Sequence, residues 1–145
     1  MISLKKILNK ILINLQRVEM KTLLWTNANP TRNFAAQTLD SSDGIPDLSR
    51  YDEIEVVCRY STTDDTRTRY ICDVGGSTSM YWFYYTATDG KYTGVRSRDR
   101  VTVSTTGITF EGCSGKPGNS TTNTANNGYI IPVKIYGIKV GVNNI

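Results

Sequence analysis

The chain has no histidine among its 145 residues. That absence excludes Ser-His-Asp and Cys-His catalysis, His-ligated metals and an imidazole pH switch. Cysteine is scarce, with three residues and no CxxC pair, so neither a fully paired disulfide framework nor a zinc-type cluster can be read from the spacing. No apolar run reaches 18 residues, so the sequence offers no membrane-spanning helix. The first residues do not read as a secretory signal either, because polar side chains interrupt each apolar run and no small-residue cleavage site follows. A general excess of positive charge is also missing. The net +4 lies wholly in residues 1–22, where Lys5, Lys6, Lys10, Arg17 and Lys21 face Glu19 alone. The remaining 123 residues carry 12 basic and 12 acidic side chains. A neutral main domain argues against nucleic acid as a partner, since phosphate tracking needs a spread of cations.

What is present leans to β structure. There are 19 Thr and nine Tyr, which favour strands, and 11 Asn and 12 Gly, which favour turns. The exception is the start. Met1, Leu4, Leu8, Ile11, Leu15 and Val18 recur at alternating steps of three and four, which predicts an amphipathic helix within residues 1–22 with a heptad seam. Leu at a with Ile at d turns away from dimers toward trimers or tetramers. Two and a half heptads are too short to be stable alone. Leu4, Leu8, Ile11, Leu15 and Val18 are therefore the candidate oligomerisation or docking residues, and a basic amphipathic helix lying on a membrane surface is the competing reading.

Residues 23–145 predict an antiparallel β-sandwich or jelly roll, with short alternating runs broken by turn residues. Expected strands cover residues 23–25, 80–86, 95–104, 107–111 and 129–140, with Pro132 marking an edge or a bulge. The clearest hairpin spans residues 53–74. Centring its turn on Asp65 pairs Tyr60 with Tyr70, Cys58 with Cys72 and Val56 with Val74, and puts both apolar sets on one face. Three cysteines cannot all pair internally, and three reduced thiols is the simpler reading. Residues 112–128 hold no large apolar side chain and read as one long loop.

Two runs are candidate ligand sites. MYWFYY, residues 80–85, alternates Met80, Trp82 and Tyr84 with Tyr81, Phe83 and Tyr85, so one set should be core and the other exposed. Sugar C–H faces stack on flat rings, which makes Trp82 or the pair Tyr81 and Tyr85 candidates for glycan binding; burial between sheets is the competing assignment. Arg96, Arg98 and Arg100 alternate along a strand and would share a face able to grip phosphate or carboxylate groups, or simply guard a solvated edge. Asp40, Asp43, Asp64 and Asp65 sit in turn-like stretches. Glycoside hydrolysis needs two carboxyls roughly 5–10 Å apart across a sugar, and turn formation accounts for these residues without it. The expectation is a non-enzymatic protein with no cofactor and no metal.

Four strings resemble a known family. LWTNANPTRNFAAQTL (residues 24–39), LSRYDEIEVV (48–57), RSRDRVTVSTTGITF (96–110) and GYIIPVKIYGIK (128–139) are similar, in order, to a β-rich C-terminal module of tail-fibre and head-fibre proteins of tailed bacteriophages and prophages. The likeness covers most of the chain after Thr22. It implies a virion surface protein with a structural or host-attachment role, a homotrimer, and no enzymatic activity. Its partners would be host-surface glycan and a capsid or tail protein met by the N-terminal helix. Relatives often carry this module behind a long fibrous chain, whereas one short helix precedes it here, which points toward a capsid decoration or head fibre as the alternative.

Overall fold

The computed structural model describes residues 3–15, 17–85, 93–116, 118, 120 and 122–142, with side chains described for all of these except 12–15, 17, 18, 85, 93 and 142. Helix α1 spans Leu4–Leu15. Ser3 opens it, its side-chain oxygen accepting from the Lys6 N–H at 3.3 Å, which satisfies one of the donors a helix start leaves free. Ten strands follow: β1 Arg17–Thr26, β2 Gln37–Leu39, β3 Glu53–Ser61, β4 Arg67–Asp73, β5 Ser77–Tyr85, β6 Thr93–Val103, β7 Ile108–Phe110, β8 Cys113–Lys116, β9 Thr124–Ala125 and β10 Tyr129–Val142.

The helix is shorter than its heptad spacing predicts. Arg17 already begins β1, which runs antiparallel to β10 with Val18 opposite Gly141. Val18 is therefore a strand residue and no part of a helical seam, because a ladder with β10 offers this segment more than another helical turn could. The side chains of Leu15 and Val18 lie outside those described.

The strands form two antiparallel sheets in a curled, sandwich-like arrangement, as the alternation predicts. One sheet has the order β1-β10-β3-β4. In the other, β6 is central, with β5 on one side and β7 and β8 on the other; β2 flanks β7 and β9 flanks β8. The core between them gathers Ile54, Val56 and Cys58 from β3, Ile131 and Ile135 from β10, Met80 from β5, Val101 and Val103 from β6, and Ile108 and Phe110 from β7. Leu48 and Ile45 plug one end from the connection before β3. That connection is set by a local device: Asp40 accepts from the Ser42 N–H, Asp43 accepts from the Asp40 N–H, and Gly44 takes φ +84 to end the turn.

The β3–β4 hairpin forms, but in another register. Ile54 pairs with Cys72, Val56 with Tyr70 and Cys58 with Thr68, four residues from the expected partners. The turn itself decides this. Ser61 accepts from the Thr63 and Asp64 N–H groups, and Asp64 accepts from the Thr66 N–H, so the chain reverses two residues earlier than Asp65. An even shift leaves every side chain on its expected face. Cys58 and Cys72 are not opposed, and all three cysteines are free and buried. Residues 112–128 are not one loop either, since they contain β8 and β9, paired Ser114 to Ala125 and Gly115 to Thr124. The pairing of β10 with β3 shifts register between Pro132 and Lys134. The shift marks a bulge, with Asn27 donating to the freed carbonyls of Pro132 and Val133 at 2.8 Å each.

The expected row of three arginines on β6 is broken after Arg98: Arg96 and Arg98 share the inward face, and Arg100 leaves it. Thr78 pairs with Val101 but Met80 pairs with Arg98, so two residues of β6, Asp99 and Arg100, face Ser79 alone. This bulge resets the alternation, and Arg98 and Val101 both point into the core. Arg98 has no exposed surface. Its Nε donates to the Ile130 carbonyl, Nη1 to Glu111, and Nη2 to Phe34 and Tyr129, at 2.8 to 3.2 Å. Its guanidinium carbon lies 5.2 Å from the Phe34 ring centroid. Arg98 thus ties β6 to β10 and to the segments around Phe34 and Glu111, and is unavailable to a surface ligand. Ile130 holds φ +46, a conformation that costs a β-branched residue about 1–3 kcal/mol, and its carbonyl is one that Arg98 takes up.

Candidate functional site

Where the two sheets part beside the β3–β4 turn, four aromatic rings converge. Tyr60 ends β3, Tyr129 begins β10, and Trp82 and Tyr84 stand on the inward face of β5. Tyr60 lies 5.1 Å from Trp82, 6.5 Å from Tyr84 and 5.3 Å from Tyr129, centroid to centroid, at tilted or edge-on angles. Such offsets suit the ring quadrupoles. Tyr60, Trp82 and Tyr84, with Asp64 and Thr66 from the turn, line an open cleft of about 310 Å³.

Arg96 forms the base of the cluster. Its guanidinium carbon sits 3.9 Å from the Tyr129 ring centroid and 4.9 Å from that of Tyr84, a doubly stacked cation. Two glycines make the slot. A Cβ on Gly115 would fall on the Arg96 guanidinium, and one on Gly94 would fall on the Tyr84 ring. The Arg96 Nε is buried with no hydrogen-bond partner among the described residues. Burial pushes the Tyr60 phenol above its ordinary range, and the neighbouring Arg96 pulls part of that back. Asp64 is held below its ordinary range by the backbone and side-chain hydrogen bonds from Thr66. At neutral pH the cleft therefore presents ring faces, a neutral phenol and an ionised carboxylate at its lip.

The residues singled out from sequence scatter. Trp82 is in the cleft wall, half-buried, and Met80 below it is fully buried. Tyr81 and Phe83 face outward, 52% and 67% exposed, with rings stacked at 25° and 6.5 Å. Tyr85 pairs with Thr93, and its side chain lies outside those described. Of the arginines, Arg96 underlies the cleft, Arg98 is core and Arg100 is exposed. Leu4, Leu8 and Ile11 are half-exposed or more along α1, and Ile7 is 43% exposed.

Tyr60, Tyr84, Tyr129, Asp64 and Thr66 were not legible as site residues, because they come from four segments that only the packed sheets bring together. One signal was available. Glycine within a strand often marks a close approach by another group, and Gly94 and Gly115 flank Arg96 in space. Among the described residues no three His, Cys, Asp or Glu side chains converge as a metal site, and no helix is long and apolar enough to cross a membrane. Comparison with protein-family models, curated proteins and solved structures finds no match.

Proposed function

We propose that the chain is a surface protein of a tailed-phage virion, a homotrimer whose β-sandwich attaches to host-surface glycan through the aromatic cleft. The observation that carries the binding reading is the convergence of Tyr60, Trp82 and Tyr84 on one open cleft with Asp64 and Thr66 at its lip. Ring faces accept sugar C–H groups, while a carboxylate and a hydroxyl take up sugar hydroxyls. Asp64 is the one carboxylate among the described lining residues. Glycosidic cleavage needs two, so the arrangement favours holding a sugar over breaking it. The phage setting rests on the four resembling strings.

The exposed apolar stripe of Leu4, Ile7, Leu8 and Ile11 supports a role for α1 in trimerisation or in docking on a capsid or tail protein, and three weak cleft sites on one trimer would act together by avidity. A mainly structural head-fibre or capsid-decoration role is the second reading. It is favoured by the short connection between helix and sandwich, with Leu15 and Arg17 separated by a single residue.

Binding of host-cell surface glycans to the full chain, its Trp82→Ala and Asp64→Asn variants, and a Tyr81→Ala/Phe83→Ala control tests the cleft. Each cleft variant is expected to weaken binding about tenfold, and the outward control to leave it unchanged. Folded cleft variants that bind as well as the parent would sink the reading. Labelled negative-stain images of virions separate a tail-tip location from the head, and release of sugar products on incubation would point to catalysis instead.

A further inference from the structure

The face of the β1-β10-β3-β4 sheet turned away from the core is curled into a groove of about 600 Å³. Four cations line it: Lys21 on β1, Lys134 on β10, and Arg67 and Arg69 on β4. They meet one carboxylate, Glu55, so the groove carries three net positive charges, two of them from the segment after residue 22, which is neutral as a whole. The registers bring them together, with Val57 on β3 directly beside both Lys134 and Arg69, and Glu55 beside Tyr136.

Glu55 is 3% exposed although it points away from the core. Its Oε2 accepts from Lys21 Nζ at 2.7 Å, and its Oε1 lies 3.7 Å from Arg69 Nε. A buried carboxylate of this kind fixes the cations around it. Arg67 is held on its outer side by Asp65, at 3.1 Å. Lys134 has no ion-pair partner among the described residues. Val57, itself buried, gives the floor no polar group with which to screen an incoming charge, and Tyr136 supplies a ring to one wall.

We infer that this groove binds an acidic polysaccharide, taking its carboxylate or phosphate groups between Lys134, Arg69 and Arg67. Guanidinium forks pair with either group in a bidentate manner, and the groove has the volume of a small-ligand site. An acidic glycan suits it better than nucleic acid. The four cations line one pocket, and the rest of the chain after residue 22 has no excess of positive charge to supply a track along which successive phosphates could be followed. The inference stands on the groove alone and does not depend on the aromatic cleft.

The test is calorimetric titration of the full chain at low and moderate salt with three probes: an oligogalacturonate, a glycerol-phosphate oligomer and a single-stranded oligonucleotide. Binding to at least one of the two glycans is expected, weakening as salt rises, and the tighter of the two names the anionic group. Arg69→Gln combined with Lys134→Gln, at positions open to solvent, should weaken that binding about tenfold or more. Glu55→Gln should tighten it several-fold by releasing Lys21 and Arg69 to the ligand. The Tyr81→Ala/Phe83→Ala variant on the outward face of β5 should leave it unchanged. The inference is overturned if neither glycan binds, if the folded Arg69→Gln/Lys134→Gln variant binds as the parent does, or if the oligonucleotide binds more tightly than both glycans.

Discussion

Helix α1 and the β-sandwich place their side chains by opposite rules. In α1, Leu4 is 71% exposed and Leu8 and Ile11 are each 50% exposed, so a stripe of large apolar groups has no cover among the described residues. In the sandwich the largest fully buried side chain is Arg98, a cation. The core of the sandwich is self-sufficient: its inward apolar rows face each other, and Arg98 finds main-chain carbonyls for four of its N–H groups. The helix is not, since one short amphipathic helix has no second face to pack on. An exposed stripe of this kind marks a place for a partner, and a buried charge held by four main-chain carbonyls marks a place where the fold has little freedom.

The comparison is broken most severely at Arg98. Arg98→Met keeps much of the volume but strands the buried carbonyls of Ile130 and Phe34 and the part-buried ones of Glu111 and Tyr129, which are costly to leave unsatisfied. The variant should lose about 3–5 kcal/mol by denaturant unfolding; a midpoint like that of the parent would show that the carbonyls do not need the guanidinium. Gly115→Ala comes next. Its new methyl would occupy the place of the Arg96 guanidinium, so Arg96 must leave the Tyr129 and Tyr84 rings. The expected cost is about 1–3 kcal/mol together with weaker glycan binding, and crystals of the variant with Arg96 unmoved would contradict it.

Removing residues 1–15 should change the sandwich's unfolding free energy by less than about 0.5 kcal/mol. The same truncation should lower the mass in solution from trimer to monomer, so equal masses by light scattering would deny the helix its role in assembly. The smallest effect concerns pH. Asp40, Asp47 and Asp64 are held below their ordinary value of 3.8 chiefly by hydrogen bonds from Ser42, Ser49 and Thr66. A depressed carboxyl stabilises the fold above its unfolded value and loses that contribution as pH falls through its folded value. Stability should therefore decline modestly below about pH 4, and Asp40→Asn should flatten the decline in a series of melts.

The elements that were legible are those with local causes. A period of two predicts the strands because each side chain's face depends only on its neighbours, and β5 divides into inward Met80 and Trp82 and outward Tyr81 and Phe83 as that alternation requires. The capped turn at residues 40–44 is equally local. Register was less legible: the hairpin's faces followed from alternation, but its partners followed from whether Ser61 and Asp64 or Asp65 organised the turn. The candidate cleft was barely visible, with Trp82 and Arg96 named from sequence and Tyr60, Tyr84, Tyr129, Asp64 and Thr66 missed. Those residues are up to 69 positions apart, and nothing in local sequence says that β3, β5 and β10 will end together.

By itself the sequence determined the β character of the domain, an amphipathic start, the concentration of the net charge in the first 22 residues, and the lack of imidazole chemistry. These depend on composition and short-range periodicity. Only the tertiary structure decided the fates of Arg96, Arg98 and Arg100. On a regular strand all three would share one face, but a single extra residue opposite Ser79 turns Arg100 outward while Arg96 and Arg98 stay inward, where different neighbours meet them. One then lies beneath aromatic rings, one locks the core and one meets solvent, because burial is a property of what packs against a strand and not of the strand alone.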